Sequence, residues 1–246
     1  MPKRLLDRQA SLLGYLTSGG AVFGDGRSAP VDPALRGIDP ALLRLEARFS
    51  YEKRLEKIAS VLPRTLEMLG DGWGPIFRAF VDTCPPTDIN RLANARQLHD
   101  FLLTHWRRDP PQPPYLPDVL ACELARAEAR RAHDEPGPLA TTDAAAAPPR
   151  GIRRGRGVVL LRCGYDIKPI FAPESGDAVP EKRDTALAVA MPPGVDEPCV
   201  FELAPAAFDL LAALDHWNDP ATLDAAKGAQ EMIEELAVHG LVEVRG

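Results

Sequence analysis

The sequence predicts an α+β protein: an N-terminal all-α helical domain, a flexible linker, and a C-terminal winged-helix-like module with a small antiparallel sheet. Three observations predict it. Up to about residue 134, apolar residues recur at helical intervals and no stretch reads convincingly as a strand. Residues 134–157, DEPGPLATTDAAAAPPRGIRRGRG, cannot bury much apolar area. Beyond them the apolar period shortens to two. The expected boundaries are 1–135 for the helical domain, 136–156 for the Ala/Pro/Arg-rich linker and 157–246 for the module.

Taken in order, residues 4–17 read as a short amphipathic helix, followed by a Gly/Pro-rich loop to about residue 38. Asp39-Pro40 then supplies an N-cap with proline at the first helical position. From there Leu42, Leu45, Phe49, Leu55, Ile58 and Leu62 recur until Pro63 restarts or kinks the helix, and Gly70 offers a stop. Helices are expected near Gly74 to Asp82 and over 91–106, with the break CPPTD between them. A proline-bracketed start leads into the helix PPYLPDVLACELARAEARRAHD, whose apolar stripe is Leu116, Val119, Leu120, Leu124 and Ala127.

In the C-terminal part, GVVLLRC, TALAVAM and CVFEL read as strands, with Leu187, Val189, Phe201 and Leu203 expected on one side. APAAFDLLAAL reads as a helix from Pro205, DPATLDAA as a short second helix capped by Asp219 or Thr222, and GAQEMIEELAVHG as a third that stops at Gly240. LVEV can return as a strand. Three strands followed by three helices is a winged-helix-like layout.

Composition narrows the function. With 45% apolar and 26% charged residues the chain reads as globular, and the charged residues Asp7 and Arg8 break the N-terminal segment, so neither a signal peptide nor a membrane span is expected. The expected location is the cytoplasm. Cys84, Cys122, Cys163 and Cys199 form no C-x-x-C pair and the histidines are scattered, so no metal site is expected on this chain. There is no G-x-S-x-G, P-loop or dinucleotide fingerprint, and no catalytic residue is assigned. The module suggests a DNA-binding transcriptional regulator as the alternative function. Charge argues against it: residues 157–246 hold 6 Lys and Arg against 16 Asp and Glu, a balance of −10, and the third helix carries Glu231, Glu234 and Glu235. The linker arginines, at 150, 153, 154 and 156, read as solubilising.

The same module could bind a peptide by strand addition, with Val200, Phe201 and Glu202 along the peptide and Met232, Glu235 and Leu236 opposite. An acidic groove there would favour a peptide carrying Lys or Arg. In the helix over 116–134, Glu123 sits on the apolar stripe, where a carboxylate costs free energy unless answered. Arg126 and Arg130, three and seven positions on, can answer it, so Glu123, Arg126 and Arg130 read as structural. Tyr115 and Leu116, held between prolines, are candidate partner contacts or core.

The stretch from Tyr51 to His133 resembles the HvfC/BufC-type peptide-modification partner proteins, to which the methanobactin partner subunit is related. The resembling segments are YEKRLEKIASVLPRTLEMLGDGWGPIFRAFVDTCPP, QLHDFLLTHW and PYLPDVLACELARAEARRAHD. Arg54 stands where that family usually carries an asparagine. CVFELAPAAFDLLAAL and its following helices resemble precursor-peptide recognition modules of ribosomal peptide pathways. The resemblance implies a non-catalytic subunit that binds the leader of a ribosomally made precursor peptide. That subunit would present the cysteine-containing core to a separate TIM-barrel enzyme carrying multinuclear iron. It implies iron on the partner enzyme and no cofactor on this chain, while the charge balance and the lack of an apolar span argue against nucleic acid and membrane as partners.

Overall fold

The computed structural model describes residues 2–24, 32–135, 151–172, 179–220 and 229–245. The chain divides into two compact units, Met1–Pro114 and Tyr115–Gly246. Together they form the expected α+β protein, helical in the first half with small antiparallel sheets in the second.

The first unit comprises α1 (Pro2–Leu16), α2 (Gly19–Phe23), α3 (Pro40–Ala59), α4 (Pro63–Leu69), α5 (Trp73–Thr83) and α6 (Arg91–Trp106). The starts follow the chemistry in the sequence. Asp39 accepts a hydrogen bond from the Ala41 amide at 2.8 Å, Asn90 does the same for Leu92 at 2.8 Å, and Pro40 and Pro63 occupy first-turn positions where no donor is needed. Gly70 ends α4 with φ +51°, a conformation that favours glycine.

The buried face of α3 differs from the expected one. Leu42, Leu45 and Phe49 are 50%, 46% and 45% exposed, while Leu43, Ala47, Arg54 and Ile58 are buried. Side-chain size misleads here, because the small Ala47 sits on the face of a helix packed against α1, α2 and α6. A run of mutually tilted rings, Tyr51, Phe77, Phe80 and Phe101, passes through the unit at centroid spacings of 5.2–5.5 Å.

The second unit begins with α7 (Leu116–Asp134), buried at Leu116, Val119, Leu120, Cys122, Glu123, Leu124, Ala125 and Ala129. Residues 136–150 of the expected linker lie outside the described residues. Its remaining part is not linker: Gly151–Arg154 is strand β1, paired antiparallel with β5 (Val242–Arg245), with Gly151 opposite Arg245 and Arg154 opposite Val242. Ile152 is the anchor, 1% exposed, and the arginines have partners: Arg153 pairs with Glu243 at 2.6 Å and lies over Trp217, while Arg154 donates to the Leu211 carbonyl. A composition-based reading counts such arginines as solvated and misses the single isoleucine they flank.

The second sheet has the order β2 (Val159–Cys163), β3 (Thr185–Ala190), β4 (Cys199–Glu202), all antiparallel. Short helix α8 (Lys168–Phe171) lies between β2 and β3, and α9 (Pro205–Ala213) and α10 (Ala229–Val238) follow β4. The expected short helix over DPATLDAA falls mostly at residues 221–228, outside the described residues.

Strand β3 is buried on both faces, Leu187 to Ala190 being at most 1% exposed. This corrects the expected side-chain set. Phe201 pairs with Ala188 and belongs with Ala190, Leu203, Ile233 and Leu236 in the core under α9 and α10. Leu187 and Val189 point to the other face, the one that α7 packs against. A clean in-out alternation presumes one wet face, and β3 has none.

Candidate functional site

Strand β4 lies at the edge of its sheet, paired with β3 on one side. Leu203 donates to the Ala186 carbonyl at 2.9 Å, which makes 186/203 a hydrogen-bonded pair. By antiparallel alternation Phe201 and Cys199 also bond inward, so the amide and carbonyl groups of Val200 and Glu202 point to the outer edge. Among the described residues no strand pairs with that edge.

The side chains of the six expected peptide-binding residues divide between the two faces. Phe201 faces α10, half-buried against the core, with its ring 5.3 Å from that of His239. On α10, Met232 is half-buried against the same core, Leu236 is 6% exposed and so part of it, and Glu235 is exposed. Met232 and Glu235 are three apart on α10, and His239, in the turn just after it, is the residue beside Phe201. His239 was not singled out from sequence. Its signal was its spacing seven after Met232, hidden by its place in the terminal turn.

Val200 and Glu202 project to the opposite face. Glu202 is held by Arg183 at 2.6 Å and by Lys168, and Arg183 also reaches Asp166 at 2.5 Å. The two cations hold the Glu202 carboxyl down to about 2, and the two carboxylates raise the Arg183 guanidinium in turn. Two cations and two anions cancel, so this quartet fixes β4 to the chain around α8 and leaves little net charge there.

Glu123 is 4% exposed within α7. Arg126 and Arg130, expected to answer it, both form ion pairs with Glu197 in the β3–β4 connection, Arg126 at 3.9 Å. Leu116 is fully buried, and Tyr115 is half-buried with its ring 5.9 Å from Tyr165. Nearby, Asp118 accepts from the Tyr165 amide at 3.1 Å, tying the first turn of α7 to the chain after β2. Its burial raises the carboxyl pKa despite the amide hydrogen bonds. Burial likewise pushes the Cys122 and Cys163 thiols up to about 12.

Among the described residues, no group of three or more His, Cys, Asp or Glu is placed to hold a metal ion. No described helix is long and apolar enough to cross a membrane. In the first unit a cavity of about 510 Å³ opens between α2 and α3, lined by Phe23, Arg44, Arg48 and Tyr51 among others.

Fold and edge together define an α+β protein with a helical unit and a second unit of two small antiparallel sheets, one with a strand edge that no described strand pairs with. Residues 6–104 match the family described as SCO6045-like, C-terminal domain. The match includes most of the N-terminal segment that precedes the HvfC/BufC resemblance. No curated protein matches the chain.

Proposed function

We propose that this chain is a non-catalytic partner subunit, of the HvfC/BufC type, with a winged-helix-like recognition module. It binds the leader of a ribosomally made precursor peptide. It presents the cysteine-containing core to a separate TIM-barrel enzyme, which holds multinuclear iron and performs the modification. The observation that carries this reading is β4: an edge strand with two residues' worth of outward amide and carbonyl groups, carrying the Phe201 ring with His239 beside it. Such an edge gives a peptide main-chain hydrogen bonds for affinity and neighbouring side chains for selection. The acidic face of α10 supports a peptide partner over duplex DNA, whose phosphates it would repel.

Co-expression with a TIM-barrel enzyme of the multinuclear-iron type, followed by pull-down and iron analysis, tests the assembly. Val200→Pro tests the edge. It removes an outward N–H while sparing the β3 ladder, a place where a strand tolerates proline. The expected result is a stable, iron-retaining complex whose affinity for a precursor leader peptide falls at least about ten-fold in Val200→Pro, the equivalent of about 1.4 kcal/mol. Unchanged leader affinity in a folded Val200→Pro variant would move the site elsewhere.

A further inference from the structure

The proposed strand addition leaves open which peptide the edge selects, and the two faces of β4 answer differently. A strand added beyond Val200 and Glu202 continues the pleat, so every second residue of it points toward α10 and the others point toward the quartet. The residue opposite Phe201 would sit in a non-hydrogen-bonded pair, where cross-strand side chains approach most closely. There it meets the Phe201 ring, which lies 5.3 Å from the His239 ring just after α10.

One helical turn back from His239 stands the exposed carboxylate of Glu235, with exposed Glu231 four residues before it. Glu234 takes the other side, where Gln230 donates to it at 2.8 Å. A turn of helix spans about 5.4 Å and two residues of strand about 6.8 Å. On a peptide strand running along α10, a side chain two positions from the one opposite Phe201 therefore comes level with Glu235. On the opposite face Glu202, although acidic, is occupied by Lys168 and Arg183, so it offers no unanswered charge to a peptide.

We infer that the β4–α10 edge selects a peptide segment carrying an apolar residue and a Lys or Arg two positions apart, both facing α10, with Glu235 and Glu231 reading the cation and Glu202 serving only to position the strand. This rests on the strand-addition reading and adds to it a spacing and a division of labour among the acids. The overall acidity of the module does not produce the selection. Two carboxylates on one flank of α10 do.

The test is a titration of the full-length, 15N-labelled protein with three nine-residue synthetic peptides in a Ser/Thr background. One carries Leu and Lys two apart, one carries them adjacent, and one has Glu in place of Lys. Amide shifts of Cys199 to Glu202 report strand addition, and their concentration dependence reports affinity. The Leu-x-Lys peptide is expected to bind about five-fold more tightly than either control at low salt, the scale of one to two exposed ion pairs. The gap should close in the double variant E231Q/E235Q and persist in E202Q. Both variants alter exposed carboxylates, and unchanged spectra away from the site check their folds. Equal affinities for the three peptides, with β4 amides shifting, would keep strand addition and overturn the selection. A gap that closes in E202Q instead would assign the reading to the wrong acid and overturn it too. No shift at β4 with any peptide at millimolar concentration would count against both.

Discussion

Arg54 offers the sharpest stability test. It is 7% exposed in α3, and its guanidinium donates to three neutral oxygens: Asn94 Oδ1 at 2.9 Å, the Cys84 carbonyl at 2.7 Å and Gln97 Oε1 at 3.1 Å. It also lies 4.3 Å over the Phe80 ring. Burial brings its pKa down to about 10, so it stays charged at neutral pH. Arg54→Met keeps the apolar stem and deletes the donors. The Cys84 carbonyl and Gln97 are near enough to the surface to turn to water, but Asn94 is 2% exposed and its amide nitrogen is already committed to the Asp88 and Asn90 carbonyls. The orphaned Asn94 oxygen costs about 1–3 kcal/mol, and relief from burying a cation offsets part of it. The expected net loss is about 1–2 kcal/mol, a urea midpoint lower by roughly 0.5–1 M. Trp217→Phe removes the second unit's tryptophan, so that Trp73 and Trp106 report the first unit. In that background a cycle of Arg54→Met with Asn94→Ala should show a coupling of about 1 kcal/mol. A coupling below about 0.3 kcal/mol, or a stabilised Arg54→Met, would refute the view that Arg54 is held by Asn94.

Three further outcomes follow from the second unit. Asp118→Ala, which leaves the Tyr165 amide without its 3.1 Å acceptor, should destabilise that unit by about 1–2 kcal/mol in urea unfolding followed by Trp217 fluorescence. Because burial raises the Asp118 pKa above 3.8, the folded state holds its proton longer, so this group makes stability fall as pH rises through that window; Asp118→Asn should remove the slope. Glu202 has the opposite sign: its depressed pKa gives stability that is present above about 4.5 and lost as pH falls toward about 2. With the side chain 34% exposed, Glu202→Gln at pH 7 should cost less than about 1 kcal/mol and less still in high salt; a larger or salt-insensitive loss would contradict a solvent-screened pair. Finally, a thiol reagent at pH 8 should leave buried Cys122 and Cys163, with pKa values of about 12, unreacted in the native protein and modify them in urea; rapid native labelling of either would refute their burial.

The sequence made the helix boundaries legible wherever a side chain does a local job. Asp39, Pro40, Pro63, Gly70 and Asn90 act within a few residues of themselves, and helices start or stop beside them. Faces were harder. Leu42, Leu45 and Phe49 form a periodic stripe as good as the one buried, and only the packing of α3 against three other helices selects Leu43, Ala47 and Ile58. β1 was invisible because its partner lies about 90 residues away and its arginines look like linker until Glu243 and Trp217 are beside them. At the candidate site the strand and helix could be named, since period-two and period-3.6 patterns flank a clear turn. Which residues share a face could not, because register with β3 decides it. That is why Phe201 with His239 emerges from the structure, and why Glu202 proves to be held by Lys168 and Arg183.

The pairing of β1 with β5 also sets how this unit answers to force. Gly151 lies opposite Arg245, so the start of one strand and the end of the other sit at the same end of the ladder. Tension drawn through the chain on either side would peel the ladder open one pair at a time, from Gly151–Arg245 toward Arg154–Val242, instead of shearing all its hydrogen bonds together. β4 belongs to the separate three-stranded sheet, so a pull applied at Gly151 and Arg245 loads the β1–β5 ladder and not the hydrogen bonds between β3 and β4.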